Sequence, residues 1–135
     1  MSQRTPFVVR ELTDDDIDPF RELLAVFGQA FGELDTYTSA QPGTAYLSHL
    51  LGGDQFIALV ALDDDAVIGG LAAYELSKFE QARSEIYIYD LAVASRHRRK
   101  GVATALINEL RAIGASRGAY AIFVQADPPD VPAVA

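Results

Sequence analysis

Hydrophobic and polar positions alternate along the chain in a pattern that predicts a mixed α/β domain. Apolar residues between positions 17 and 31 recur at steps of three and four, the spacing of one face of an amphipathic helix. Residues 55–62, 66–76 and 85–93 are instead apolar, aromatic or β-branched runs, which are typical of strands. The predicted order is strand (Phe7–Leu12), helix (to Phe31), helix (Thr44–Leu51), strands (Gln55–Leu62, Ala66–Leu76, Glu85–Val93), helix (Gly101–Arg117) and strand (Ala119–Ala126).

The order of these elements favours one α/β (α+β) domain over residues 1–135. The segments at 33–43, 77–82 and 94–100 are polar and are predicted to be loops. The last strand–helix–strand unit favours a parallel pair of strands with a right-handed crossover. No internal repeat or linker divides the chain.

Charge and residue types exclude several classes of site. The chain of 135 residues has a formal net charge of −8 and no cysteine, so disulfides, thiolate zinc sites and a cysteine thioester are excluded. His49 and His97 lack metal-ligand spacing, and we expect no metal. We also expect a cytoplasmic protein with a cationic small-molecule partner and no membrane or nucleic-acid partner, since no signal-peptide pattern or long apolar run is present.

The most informative segment is a basic loop between a predicted strand and a predicted helix. Free N–H groups at a helix start favour an anion, and a glycine there lets the anion approach the backbone closely. The spacing matches neither a Walker loop nor the GxGxxG fingerprint. A pyrophosphate site is therefore predicted, with a solvated basic loop as the alternative. The predicted anion-binding residues are Arg98, Arg99, Lys100, Gly101, Val102, Ala103 and Thr104.

The spacing Arg98-x-x-Gly101-x-Ala103 resembles the [QR]-x-x-G-x-[GA] motif of GNAT N-acetyltransferases. The resemblance implies a GNAT fold, in which a mixed central sheet with splayed strands is flanked by helices, and acetyl-CoA as the co-substrate. It also implies that the strand segment Leu91, Ala92 and Val93 pairs with the pantetheine arm of coenzyme A. The backbone N–H of Leu91 or Val93 would then bind the thioester carbonyl.

Longer segments are similar to GNAT-type aminoglycoside 3-N-acetyltransferases, which acetylate the 3-amino group of gentamicin-like antibiotics and thereby confer antibiotic resistance. These segments are FGQAFGELDTY, FIALVALDDDAVIGGLAAY, SEIYIYDLAV with HRRKGVATALINEL, and VQADPPDVPAVA. In the superfamily, a further helix and two strands follow the position of Ala126. The resemblance therefore implies either a domain that is truncated at its C-terminus or missing elements that a partner chain supplies, with the usual general-acid tyrosine just beyond Ala135.

Carboxylates are the candidates for binding and deprotonating the amine. Asp90 interrupts an apolar strand, where a charge is costly unless it is paired or functional, and Glu85 is the weaker catalytic candidate. The alternative for Asp90 is a structural aspartate that is hydrogen-bonded at a strand edge. In a regular strand, Tyr87 and Tyr89 face away from Asp90, unless a bulge turns one of them. The predicted substrate-binding residues are Glu33, Asp35, Tyr37, Glu80, Asp90, Asp127 and Asp130.

Three functions remain open at this point. The resemblance favours direct attack of an aminoglycoside amine on acetyl-CoA in a ternary complex. The alternatives are a GNAT acetyltransferase for another amine, such as a polyamine or a protein amine, and a non-catalytic paralogue that binds acetyl-CoA. Nucleic-acid binding through residues 97–100 is disfavoured by the charge of −8. A homodimer is left open.

Overall fold

The predicted strands form one mixed five-stranded sheet in the computed structural model, which describes residues 7–124. The strands lie side by side in chain order. The pairs β1–β2, β2–β3 and β3–β4 are antiparallel, and the pair β4–β5 is parallel. This is the mixed sheet of the GNAT fold that the sequence predicts. The elements are β1 (Val8–Glu11), α1 (Ile17–Phe31), α2 (Leu34–Thr38), α3 (Thr44–Gly52), β2 (Phe56–Asp63), β3 (Ala66–Ser77), β4 (Ser84–Val93), α4 (Val102–Arg117) and β5 (Ala121–Val124).

Helices cover both faces of the sheet and bury two apolar clusters. On one face, Leu106 and Leu110 of α4 pack with Ile86 of β4, and none of these side chains is accessible to solvent. On the other face, Leu23 of α1 and Leu47 of α3 belong to the second cluster. Burial of apolar side chains on both faces explains why β2 and β3 read as nearly continuous apolar runs.

Two predicted loops contain short helices. Residues 34–38 form α2 inside the segment predicted as a loop, and residues 95–97 form a 3₁₀ turn inside the basic loop. Neither has an apolar stripe long enough to signal a helix. The α1–α2 connection is tight, because a Cβ at Gly28 would lie only 2.8 Å from the Cα of Leu34.

The predicted last strand is described as far as Val124. Of the segment predicted at 119–126, residues 121–124 form β5. Its described pairing with β4 runs from Glu85–Ala121 to Ile88–Val124. The predicted C-terminal truncation, the substrate candidates Asp127 and Asp130, and the course of the chain after Val124 all lie outside the described residues.

A β-bulge divides β4 in the middle. Ala72 pairs with Asp90, whereas the next residue of β3, Ala73, pairs with Ile88, so Tyr89 has no partner on β3. The extra residue reverses the alternation of side chains along the strand. The strand is therefore not regular at this point, and the exception stated for a bulge applies: the side chains of Tyr89 and Asp90 both lie on the face covered by α1 and α3.

Within residues 7–124, none of the helices combines the length and the apolar character that crossing a membrane requires.

Candidate functional site

Asp90 lies at the bulge as a half-buried carboxylate with one side-chain partner. Its Oδ2 accepts a hydrogen bond from the Tyr37 hydroxyl at 3.0 Å. Burial raises the pKa of Asp90, the bond from Tyr37 lowers it, and the nearby Glu33 carboxylate raises it again, with a net upward shift. A raised pKa makes this carboxylate a stronger proton acceptor than an ordinary surface aspartate.

Tyr37 reaches Asp90 because α2 is held against the end of α1. The Tyr37 ring lies 6.0 Å from the rings of both Phe27 and Phe31, measured between centroids. Burial, together with the negative charge of Asp90, raises the pKa of Tyr37 to about 12. The hydroxyl therefore keeps its proton near neutral pH and acts as the donor of this bond.

A small cavity of about 200 Å³ lies beside Asp90, between the sheet and helices α1 and α3. The pKa of Tyr74 is raised, mainly by burial and also by its neighbours Tyr46, Tyr89 and Asp90. The polar groups of these four residues therefore lie close together at the cavity. Asp90 is the one charged side chain among the cavity-lining residues of the described chain. The other lining residues are Phe20, Leu24, Phe27, Pro42, Tyr46, Leu47, Leu50, Phe56, Ala72, Tyr74 and Tyr89.

A larger cleft of about 750 Å³ opens at the start of α4. Gly101 caps this helix with φ +81°, in the left-handed region, and Arg99 has φ +65°. The first N–H groups of α4 lack partners inside the helix and lie at the cleft, where they favour an anion. The lining residues are Ala30, Phe31, Leu91, Ala92, Val93, His97, Arg98, Arg99, Gly101, Val102, Ala103 and Thr104.

The backbone of β4 presents hydrogen-bonding groups to this cleft. The N–H of Ala94 donates to the carbonyl of Ile68 on the β3 side at 2.8 Å. Because N–H directions alternate along a strand, those of Leu91 and Val93 point to the opposite side. The Nε of Arg98 donates to the Val93 carbonyl at 3.4 Å, which is consistent with that direction. Leu91 and Val93 can therefore pair with an extended ligand.

The predicted cofactor-binding residues are brought together, with one exception. Lys100 is exposed and does not line the cleft, whereas the other nine predicted positions do. Ala30 and Phe31 of α1 also line it, although the sequence analysis did not identify them as site residues. Phe31 belongs to the apolar stripe of α1, so its sequence signal is the same as that of a core residue.

The predicted carboxylates separate into two groups. Glu33 is close enough to affect the pKa of Asp90, and Asp35 is exposed on α2. Glu85 lies at the far end of β4, about 15 Å from Asp90 at the rise of an extended strand. Its side chain is buried there, with only 6% of the residue exposed.

An ion-pair cluster surrounds Glu85. Its carboxylate lies 3.5 Å from Lys78 Nζ and 3.7 Å from an Arg83 nitrogen, and Glu80 lies 3.4 Å from the same Lys78 Nζ. These contacts indicate that Glu85 and Glu80 stabilise the β3–β4 end of the sheet and do not lie beside Asp90. The aromatic residues Tyr46, Tyr74 and Tyr89 lie there instead, and the sequence offered no sign that they line a cavity.

Comparison with known proteins gives a family match over most of the chain. Residues 17–135 match the model described as the acetyltransferase (GNAT) family. No curated protein sequence matches the chain significantly.

Solved structures of acetyltransferases are similar over nearly the whole chain. An aminoglycoside acetyltransferase from an uncultured soil metagenomic sample is 52% identical, with 100% of this chain and 89% of that chain covered and a TM-score of 0.90. Another from such a sample, in complex with sisomicin, is 29% identical, with 96% and 83% covered and a TM-score of 0.87. The aminoglycoside N-acetyltransferase AAC(6')-Iy in complex with CoA, at 17% identity, 99% and 86% coverage and a TM-score of 0.75, shares the fold.

Replacing Tyr37 by phenylalanine tests the Tyr37–Asp90 hydrogen bond. The ring would remain packed while the donor is lost, so the pKa of Asp90, already raised by burial, should rise further. A carboxyl group whose pKa is higher in the folded than in the unfolded state loses folding stability as pH rises through that folded-state pKa. Because this pKa should be higher in the variant, its free energy of unfolding should fall more over this pH range than that of the wild type. Titration of the Asp90 carboxyl carbon by NMR measures the shift directly, and urea unfolding between pH 4 and 7 measures its effect on stability.

Tyr89→Phe is the matched control, because Tyr89 is the neighbour of Asp90 in sequence but does not contribute to its pKa shift. It should leave the Asp90 titration unchanged. An unchanged titration in Tyr37→Phe would show that the hydrogen bond does not control the carboxyl group.

Proposed function

The chain belongs to the acetyltransferase (GNAT) family, and from this premise we propose that it transfers the acetyl group of acetyl-CoA to the 3-amino group of an aminoglycoside such as gentamicin. The observation that carries the proposal is the junction at Asp90 and Leu91, where a carboxylate in the cavity adjoins a backbone edge in the cleft. The aminoglycoside acetyltransferases at 52% and 29% identity support the substrate class. The similarity of the quoted segments to 3-N-acetyltransferases supports the position of attack.

The larger cleft is proposed to hold acetyl-CoA, which supplies an activated acetyl thioester. The N–H groups at the start of α4 bind the pyrophosphate, and the guanidinium groups of Arg98 and Arg99 add positive charge beside it. The backbone edge of Leu91 and Val93, which no strand within residues 7–124 pairs with, hydrogen-bonds the amide groups of the pantetheine arm. This assignment uses the whole length of the cleft, from the basic turn to β4.

The chemistry requires a proton acceptor and a partner for the carbonyl oxygen. Asp90 is proposed to hold the substrate ammonium and to take its proton, so that the neutral amine attacks the thioester carbon. The N–H of Leu91 donates to the carbonyl oxygen and stabilises the negative charge that develops there. The C–S bond then breaks, an amide forms, and the coenzyme thiolate takes up a proton. The chain has no cysteine, in agreement with direct transfer to the amine.

Gly101→Ala should weaken coenzyme A binding, whereas Gly118→Ala should not. Both glycines have left-handed φ, +81° and +74°, and a Cβ at either meets nothing within 4 Å. Both variants therefore carry a similar backbone cost, about 1–2 kcal/mol, at opposite ends of α4. A methyl group at Gly101 also obstructs the approach of a phosphate, so we expect Kd for coenzyme A to rise at least about tenfold by isothermal titration calorimetry. Equal Kd values for the two variants would contradict the pyrophosphate assignment.

Asp90→Asn should lower kcat by about 100- to 10,000-fold, the usual cost of losing a general base, while Kd for coenzyme A stays unchanged. The acidic limb of the kcat/KM profile, which the raised pKa of Asp90 should produce, should disappear. Glu85→Gln is the comparison, because Glu85 belongs to the ion-pair cluster at the other end of β4. If Glu85→Gln removed kcat and Asp90→Asn did not, the roles would be reversed.

The identity of the product tests the proposed position of attack. Incubation of the protein with acetyl-CoA and gentamicin or sisomicin should release coenzyme A thiol and yield a monoacetylated antibiotic. Two-dimensional NMR should then connect the new acetyl carbonyl to the proton on carbon 3 of the central ring. Acetylation at another amine would retain the acetyltransferase assignment and overturn the 3-amino assignment.

A further inference from the structure

The cavity beside Asp90 has an unusual lining for a polycationic substrate. An aminoglycoside carries several ammonium groups, and each needs an anionic or polar partner when it leaves water. Within the described residues, the cavity offers one carboxylate, from Asp90, and its other walls are aromatic or aliphatic. The walls that residues 7–124 form therefore match one cation attached to an apolar group.

Aromatic rings form a continuous wall from the floor of the cavity to its mouth. The centroids of Phe20 and Phe56 are 5.7 Å apart, those of Phe56 and Tyr74 are 5.2 Å apart, and those of Tyr74 and Tyr89 are 5.8 Å apart. Tyr46 also lines the cavity, and it and Tyr89 are the most exposed of the aromatic lining residues, at 63% and 66%. Aromatic walls suit a planar apolar group, and their faces also attract a cation.

The cavity volume agrees with an occupant of one ring. At about 200 Å³, it is smaller than the roughly 300–1,000 Å³ of sites that enclose a drug-sized ligand. A trisaccharide antibiotic could place only one part inside. A primary amine on a short chain from a single ring could enter with its apolar portion.

The cavity and the coenzyme cleft meet at consecutive residues. Asp90 lines the cavity, and Leu91 lines the cleft with its N–H directed away from β3. An ammonium bound to Asp90 would therefore lie next to the carbonyl that the Leu91 N–H is proposed to bind. An amine held in the cavity is thus positioned for attack and is not at a separate site.

We propose that this protein also acetylates small primary amines that carry one positive charge and an apolar aryl group. This inference rests on the proposed acetyl transfer at Asp90 and adds a second substrate class. Asp90 removes a proton from the arylalkylammonium, and the amine nitrogen forms a bond to the acetyl carbon as the C–S bond breaks. The products are the N-acetylated amine, coenzyme A thiol and one released proton, so no other reactant is needed.

A matched pair of amines tests the proposal. Phenethylamine carries one ammonium, and 4-(2-aminoethyl)benzylamine adds a second ammonium at the far side of the same ring. The second charge would enter an apolar cavity without a partner, so kcat/KM for phenethylamine should be at least about tenfold higher. Thiol release with acetyl-CoA measures both, with sisomicin assayed in parallel.

A designed variant should change this preference. Leu50 is a partly buried lining residue on α3, and Leu50→Glu would give the second ammonium a partner. The ratio of kcat/KM for the diamine to that for phenethylamine should then rise at least about tenfold. Leu76→Glu is the control with the same charge change, since Leu76 is 42% exposed and does not line the cavity. It should leave the ratio unchanged.

The outcomes separate this inference from the proposed function. Acetylation of sisomicin without acetylation of phenethylamine would overturn the inference and leave the aminoglycoside proposal standing. A diamine preferred by the wild-type protein, or a ratio that Leu50→Glu does not change, would also overturn it. Acetylation of phenethylamine alone would support the inference and contradict the aminoglycoside assignment. Absence of turnover with every amine would contradict both.

Discussion

The one-residue shift between β3 and β4 sets the direction of every side chain that follows it on β4. Before the bulge, Ile86 and Ile88 face α4, and after it Leu91 takes over the same face. Tyr89 and Asp90 consequently both face α1 and α3. Without the extra residue, Asp90 would point into the apolar core under α4, where an ionised carboxylate is strongly disfavoured. The candidate chemistry therefore depends on a local irregularity in strand pairing.

Helix α1 connects the two halves of the site. Phe20, Leu24 and Phe27 line the cavity, and Phe31, about one turn further on, lines the coenzyme cleft. The same helix end supports α2 through Gly28, and α2 supplies the hydroxyl that holds Asp90. Under the proposed assignment of the cavity to the amine and of the cleft to coenzyme A, a single helix sets the distance between the amine and the thioester.

The fold and the basic turn before α4 could be predicted from the sequence because their signals are local. The run at 85–93 and the stripe of α4 indicate their elements directly, and the spacing from Arg98 to Ala103 marks the turn between them. The bulge could not be predicted, because tyrosine and aspartate fit either pairing and only the register with β3 reveals it. The burial of Glu85 in ion pairs with Lys78 and Arg83 could not be predicted, because those contacts depend on how the chain folds between β3 and β4. The aromatic cavity could not be predicted either, because residues that line a cavity and residues that fill a core show the same hydrophobic pattern in the sequence.

The coenzyme side and the acceptor side of this site differ in how they tolerate mutation. In the proposed mechanism, Leu91 and Val93 act through backbone N–H groups, which every amino acid except proline provides, so many side chains there should leave recognition of the common co-substrate intact. The acceptor cavity is built from side chains on β2, β3, β4, α1 and α3, and each position can change size or charge separately. Selection acting on the amine can therefore reshape one side of the junction at Asp90 while the other side continues to deliver the same acetyl donor.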